Sequence, residues 1–293
     1  MSATGDGMKI DALPPSSADG SGSAYNFTVI NDPKASFPSV RDQENRDALL
    51  RWNLLPFMQA KCFRFDQAFA PEHADAFLRD FFSSPTVQEA APVCTGPGSH
   101  TIDHVGHFGP LGDVTEPIKY HRLPTTVLRL DFFDRVKDEG LVRAGDIAGC
   151  FDVPCGDILV SDRLRKMILD ESSEEWELYS EQERNELIFH VMKRLAVGGG
   201  MNQYDNQFQP YLDITKKLYK DLVTVSKSAA GALQVSSITY EIESVSGTNQ
   251  SLWPRQNTHN FCYVVVDPLA RHVKLWYCAW FPMSEYSYSP ALP

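Results

Sequence analysis

A group of residues in the first half of the chain carries the side-chain types that bind zinc. His100, Asp103, His104 and His107 lie close together, with Cys94 upstream. Imidazole, carboxylate and thiolate groups can together form a tetrahedral zinc site. The spacing matches none of the strong zinc motifs, which need paired short spacings or a histidine helix with a positioned glutamate. We therefore expect a polar loop here, with a zinc site as the alternative.

Cys150 and Cys155 form a second close group, with Asp152 between them. Such a pair could suit a regulatory disulfide or half of a zinc knuckle. The sequence has no second cysteine pair of short spacing, and buried thiols are commonly inert. We expect structural thiols, which leaves a thiol- or metal-dependent enzyme as the minor alternative.

The run Gly198-Gly199-Gly200 resembles a phosphate-binding loop in composition. Such loops follow a strand and open a helix, so that amides and the positive helix end face the phosphate. Here the glycines follow a predicted helix, so the helix dipole has the wrong sign. No phosphate-loop lysine motif, nucleophile elbow or dinucleotide fingerprint occurs elsewhere, and we expect no catalytic residues and no cofactor.

Charged side chains supply the remaining candidate site. An acidic run most often forms a solvated surface, although it can also bind a basic partner segment. The run here consists of Asp170, Glu171, Glu174, Glu175, Glu177, Glu181, Glu183 and Glu186. Three lysines lie largely off the apolar stripe of a later predicted helix. The partner-binding residues predicted from both groups are Glu174, Glu175, Glu177, Lys216, Lys217 and Lys220.

Composition limits the class of partner. The 293 residues include 27 basic and 38 acidic side chains, a formal charge of -11. Excess negative charge disfavours nucleic acid and anionic lipid, so we expect neither nucleic-acid nor membrane binding. Six scattered cysteines and an N-terminus without a signal-peptide pattern predict reduced thiols in a soluble cytosolic protein.

The elements that must position these residues follow from hydrophobic periodicity. Residues 1–23 are rich in Ser, Gly, Ala and Pro and predict a disordered tail. Residues 24–293 then form a single predicted domain. Its first half begins with strands at Tyr25–Ile30 and Met58–Phe65, and with helices over Asp42–Leu55 and from Pro71.

Dense Gly and Pro over residues 93–117 predict a long loop. After it, a helix is predicted from Pro124 to Gly140 and a buried strand over residues 158–160.

Residues 161–225 form the clearest local pattern, a block of three helices. Ser161 or Asp162 caps the first helix, Ser180 and Glu183 form a capping box for the second, and Pro210 starts the third. Alternating residues over 233–281 predict antiparallel strands. Helices and strands are partly segregated, so we expect an α+β fold with amphipathic helices packed on a mostly antiparallel sheet.

Several short motifs in this order resemble one known family. In the helical block they are Ser161-Asp162-Arg163-Leu164-Arg165, Gly198-Gly199 with Gln203-Tyr204, and Pro210-Tyr211-Leu212 with Lys220-Asp221-Leu222-Val223. Outside it they are Phe65-Asp66-Gln67, the Cys150 and Cys155 pair, and Val266-Asp267-Pro268 with Arg271-His272. Together these motifs resemble the cilia- and flagella-associated protein 300 family.

The resemblance implies a non-enzymatic adaptor or assembly factor, present in the cytoplasm and in the cilium or flagellum. It implies that outer and inner dynein arms need this protein to reach the axoneme. The implied partners are dynein arm assembly factors, axonemal dynein subunits and the intraflagellar transport machinery. A structural protein bound to doublet microtubules is the alternative, which acidic tubulin tails disfavour because this chain is itself acidic.

Overall fold

The structure is a computed structural model that describes residues 24–32, 36–55, 57–96, 107–111, 118–227, 231, 233–245, 252–253 and 257–281. The predicted tail at residues 1–23 lies outside these ranges, as do His100, Asp103 and His104.

The strands are β1 Phe27–Val29, β2 Met58–Phe65, β3 Pro92–Gly96, β4 His107–Pro110, β5 Ile118–Leu123, β6 Val142–Arg143, β7 Asp146–Ile147, β8 Gly149–Cys155, β9 Ile158–Asp162, β10 Val225–Lys227, β11 Leu233–Val235, β12 Ile238–Val245, β13 Phe261–Asp267 and β14 His272–Cys278. The α-helices are α1 Pro38–Arg41, α2 Gln43–Arg51, α3 Ala74–Ser83, α4 Pro85–Ala90, α5 Arg135–Asp138, α6 Arg163–Leu169, α7 Glu181–Arg184, α8 Leu187–Val197 and α9 Gln209–Leu222. The 3₁₀ turns are Pro71–His73, Leu130–Phe133 and Glu174–Leu178.

A six-stranded antiparallel sheet runs through the fold in the order β1-β2-β14-β13-β12-β5. Every residue of β13 is buried, including Val264, Val265 and Val266 in succession. A strand with apolar residues on both of its faces must be covered on both sides. The remaining pairs, β3–β4, β6–β7, β8–β9 and β10–β11, are separate two-stranded ribbons.

Two hydrophobic clusters cover the two faces of this sheet. On one face, Phe77 and Phe81 of α3 pack against Phe63 of β2. On the other, α8 and α9 bury their apolar stripes with Tyr263 of β13 and Trp276 of β14. Each helix presents the three-to-four-residue apolar spacing that such packing requires.

The predicted α+β class with a mainly antiparallel sheet is confirmed. The strand predicted at Met58–Phe65 is β2, and the strands predicted between 233 and 281 are β11 to β14. Asp162 caps α6 by accepting a hydrogen bond from the Arg165 N–H at 2.9 Å. The capping box of Ser180 and Glu183 is present with both of its hydrogen bonds. That residues 24–293 form a single domain stays a prediction.

The predicted loop at residues 93–117 was wrong in part, because β3 and β4 pair within this region. Its prolines and glycines take part in the ribbon, as in the Pro92–Pro110 pair. The helix predicted from Pro124 was wrong in its first part, whereas its second part contains the 3₁₀ turn Leu130–Phe133 and α5. Residues 124–129 have no helical structure, since the Glu186 carboxylate accepts hydrogen bonds from the N–H groups of Thr126 and Val127.

The second predicted helix of the block is divided into α7 and α8. Gly198, the first of the glycines after α8, has φ +64° and ψ −153°. This region is essentially restricted to glycine and is distinct from the left-handed conformation that commonly ends a helix.

The same glycines lie where two other segments approach closely. The Gly199 N–H donates a hydrogen bond to the Trp52 carbonyl at 2.9 Å. A Cβ on Gly199 would lie 2.2 Å from the Asn53 carbonyl oxygen, and one on Gly200 would lie 2.6 Å from the Trp280 ring. These positions need glycine because the backbone leaves no room for a side chain.

We expect Gly199→Ala to lower the free energy of unfolding by about 1–3 kcal/mol, because the added methyl group overlaps backbone that cannot easily move. Urea unfolding measures this change. Gly149→Ala is the matched control, since its Cβ would meet its nearest atom at 3.8 Å, an ordinary contact. Equal stability of the two variants would contradict the close approach.

Candidate partner-binding surface

Arg165 anchors the segment from α6 to the 3₁₀ turn Glu174–Leu178, which carries three of the six predicted site residues. Its side chain is buried and donates hydrogen bonds to the Asp162 carboxylate at 2.6 Å, the Ala196 carbonyl at 2.7 Å and the Tyr211 hydroxyl at 2.6 Å. The guanidinium carbon lies 3.6 Å from the centroid of the Tyr204 ring. These contacts fix α6 against α8 and α9, and fix with it the β8–β9 hairpin that leads into α6.

Glu175 is held inside this segment. Its carboxylate accepts a hydrogen bond from Arg163 Nε at 2.9 Å and lies 3.4 Å from Lys166 Nζ. Burial alone would raise the pKa of Glu175, but the Arg163 hydrogen bond and the Lys166 charge outweigh it and lower the pKa. Its side chain is only 12% exposed, whereas Glu174 and Glu177 are exposed. Of the three predicted glutamates, two are therefore accessible to a partner.

The predicted lysines lie on α9, apart from the acidic group. The Lys217 ammonium donates a hydrogen bond to the Asn45 side-chain oxygen at 2.9 Å, while Lys216 and Lys220 are exposed. Within the described part of the chain, no ion pair joins these lysines to Glu174 or Glu177. The two groups thus form separate patches, and their role in binding a partner stays a prediction.

The β8–β9 hairpin exposes apolar side chains on its outer surface. Val160 and Ile158 are buried on the inner side, where they face the helical core. Pro154 pairs with Leu159 across the ribbon, and Leu159 is 60% exposed. Phe151 is 95% exposed, the largest exposure among the large apolar residues that the structure describes. We call Phe151, Pro154 and Leu159 the hairpin face.

Cys150 and Cys155 are free thiols on the single strand β8, which bears on the alternative of a disulfide between them. Five steps along a regular strand span roughly 16 Å, and the bulge between Gly149 and Val153 shortens this distance only in part. A disulfide needs Cα atoms about 4.4–6.8 Å apart, so these two thiols cannot bond to each other while the strand is formed. Burial raises the pKa of both thiols; Asp162 raises that of Cys150 further, and Asp170 that of Cys155. Neither thiol is activated as a nucleophile at neutral pH.

The charge around the hairpin face is strongly negative. Residues 149–178 contain eight acidic and three basic side chains, a net charge of -5. All three basic side chains are engaged inside the segment, by Asp162 or Glu175. The exposed carboxylates of Asp152 and Asp157 flank the apolar residues. This surface fits a partner segment that combines apolar and basic side chains.

A buried charged cluster, which sequence reasoning missed, joins α8 to the sheet. Arg194 donates hydrogen bonds to the Tyr263 hydroxyl at 2.9 Å and to the Glu241 carboxylate at 3.1 Å. His190 Nδ1 lies 3.0 Å from the same hydroxyl. Burial alone would raise the pKa of Glu241, but the His190 hydrogen bond and the Arg194 charge lower it to about 2. The cluster neutralises its own charges and acts as a structural connection.

Other predicted chemistry finds no support in the described residues. Within them, no group of three or more His, Cys, Asp or Glu side chains could hold a metal ion. The histidine-rich loop largely lies outside them, and the side chains of Cys94 and His107 are not described. No described helix has both the length and the apolar character to cross a bilayer. The glycines at 198–200 serve close packing.

The fold and surface define a class of protein: an α+β protein with an exposed apolar hairpin face, whose described buried charges are paired with one another. Comparison with known proteins identifies the family. The family model for cilia- and flagella-associated protein 300 matches residues 24–278, and the chain belongs to that family.

Two relatives carry that family's name. A cilia- and flagella-associated protein 300 from Chlamydomonas reinhardtii is 32% identical over 262 residues, covering 87% of this chain and 98% of the relative. One from Paramecium tetraurelia is 30% identical over 244 residues, covering 82% of this chain and 90% of the relative. No solved structure matches the chain.

We expect Glu241→Gln to destabilise the fold at pH 7 by roughly 3 kcal/mol, because Arg194 loses its buried counter-charge. A lowered folded-state pKa gives stability that is present above the unfolded-state pKa of 4.5 and is lost as the pH falls toward 2. The difference between wild type and variant should therefore shrink between pH 4.5 and pH 2. Urea unfolding at several pH values measures it.

The matched control for this substitution is Glu243→Gln on the same strand. The Glu243 side chain is 48% exposed and pairs with His121, which is also exposed, so little change is expected. A Glu241→Gln effect that does not vary with pH would contradict the role assigned to this carboxylate.

Proposed function

We propose that this protein is a non-enzymatic adaptor of cilia and flagella, required for the assembly or transport of outer and inner axonemal dynein arms. Membership of the cilia- and flagella-associated protein 300 family over residues 24–278 carries the proposal. The relatives' names support a cilium-related role, and the resemblance of the sequence motifs supports dynein arms as the cargo.

The proposed activity is binding, and the hairpin face is the surface that supports it best. Phe151 has almost no intramolecular contact to lose when a partner covers it, and large aromatic side chains are common interface anchors. The surrounding carboxylates would select a partner segment with basic residues. Dynein arm assembly factors and axonemal dynein subunits are the proposed partners, met in the cytoplasm and at the axoneme.

A direct test removes the protein from a ciliated cell and examines axoneme cross-sections by electron microscopy. The proposal predicts doublets that are intact but lack outer and inner arms; normal arms would refute it. Salt extraction of stripped axonemes then tests the alternative of a structural doublet protein. Retention at high salt would favour that alternative over a soluble assembly factor.

We expect Phe151→Ser to leave the unfolding free energy within about 0.5 kcal/mol of wild type, because the side chain is already in water. The same variant should fail to restore dynein arms when it is expressed in cells that lack the protein. Leu269→Ser is the matched control, since Leu269 is 77% exposed in the turn between β13 and β14. Full restoration by both variants would contradict the role of the hairpin face.

A further inference from the structure

Strand β2 has an edge that is only half covered. Strand β14 pairs with it from Met58 to Arg64 on one side. On the other side, β1 pairs only with Phe63–Phe65, followed by one hydrogen bond from the Ile30 N–H to the Cys62 carbonyl at 2.8 Å. Ala60 and Lys61 therefore have no strand partner on that side among the residues that the structure describes.

The ladder pattern shows which backbone groups face this open edge. In an antiparallel sheet, successive residues turn their N–H and C=O groups to opposite sides of the strand. Because the Cys62 carbonyl faces β1, the N–H and C=O of Ala60 face the open edge on the same side. Met58 is buried, with 1% of its surface exposed, and its N–H donates to the Leu54 carbonyl at 2.8 Å, so it offers no group to a partner. The N–H and the C=O of Ala60 are thus the groups that face an added strand.

Helices α1 and α2 lie beside this edge. A groove of about 470 Å³ separates these helices from the edge. Its apolar lining includes Val40, Leu55 and Leu50, and Leu50 is 62% exposed on α2. An extended peptide can bind a protein by adding a strand to the exposed edge of a sheet. The edge of β2, with a helix and apolar side chains beside it, has the form of such a site.

The groove is basic, although the whole chain is acidic. Its charged lining residues are Arg41, Arg46, Lys61 and Asp47, a local charge of +2 in a chain of -11. None of the three basic side chains forms an ion pair with a carboxylate in the described ranges. Asp47 accepts a hydrogen bond from the Gln43 side chain at 2.7 Å. The unpaired positive charges favour an acidic occupant.

We infer that an extended segment of a partner protein, with apolar residues flanked by carboxylates, binds here as an additional strand next to β2. Its backbone bonds with the N–H and C=O of Ala60, its apolar side chain contacts Leu50, and its carboxylates pair with Arg46 and Lys61. This surface differs in charge and position from the hairpin face. It goes beyond the proposed function and is tested independently of it.

The probe is a fluorescein-labelled peptide of five Glu-Val repeats, with a Lys-Val peptide of the same length as its control. Fluorescence anisotropy with the full chain should show that the Glu-Val peptide binds, and that it binds more tightly as salt is lowered. The Lys-Val peptide should bind at least tenfold more weakly. Equal binding of both peptides, or no binding of the Glu-Val peptide, would overturn the inference.

Ala60→Pro tests the backbone contacts. Proline removes the N–H that faces the open edge and leaves the β2–β14 hydrogen bonds in place, a position where sheets tolerate proline. We expect the affinity for the Glu-Val peptide to fall at least tenfold. Thermal unfolding monitors the fold, and Phe151→Ser should leave this binding unchanged. Unchanged affinity in a folded Ala60→Pro variant would overturn the inference.

Charge reversal provides the second variant, which does not alter the strand. Arg46→Glu combined with Lys61→Glu should abolish binding of the Glu-Val peptide, whereas Arg143→Glu, an exposed arginine on β6, should not. Hydrogen exchange should show Ala60 becoming protected when the Glu-Val peptide is added. Protection already present in the free full chain would mean that a segment of this chain fills the edge, which would overturn binding of a partner.

Discussion

The fold depends on one constraint, the complete burial of β13 in the middle of the sheet. A strand that is apolar on both sides is stable only when helices cover both faces of its sheet. This chain meets the requirement with α3 on one face and with α8 and α9 on the other. Both broad faces of the sheet are then covered. The two candidate surfaces lie elsewhere, on the separate β8–β9 ribbon and at the open edge of β2.

The same constraint explains why the charged side chains of the interior are paired with one another. Arg165, Arg194 and Glu241 each have oppositely charged or hydrogen-bonding partners within the chain. A buried charge is tolerated only in such an arrangement. Their pairing connects helices to one another and to the sheet. Strong pKa shifts in this protein therefore mark structural connections, although elsewhere they often mark active sites.

Sequence periodicity predicted the elements that bury one clear face, such as β2, α3 and α9, because burial alone imposes that spacing. It failed where the structure depends on distant contacts. Residues 124–129 have a helical sequence pattern but are not helical, because the Thr126 N–H donates a hydrogen bond to the carboxylate of Glu186, some sixty positions away. Strand β5 was missed because its residues are mostly exposed at the sheet edge. The roles of Gly199 and of Arg194 likewise depend on partners that local sequence cannot reveal.

The candidate surfaces were predictable only in part. The acidic composition around residues 170–177 is visible in the sequence, and its role in binding stays a prediction, whereas the exposure of Phe151 required knowledge of which side of the ribbon faces α6. The pairing of β2 with β14 has one further consequence, for synthesis of the protein. Strand β2 emerges from the ribosome about two hundred residues before its partner, which ends at Cys278. The nascent chain therefore carries an incomplete sheet until Cys278 has been synthesised, and shielding it from aggregation during that interval is a task for molecular chaperones.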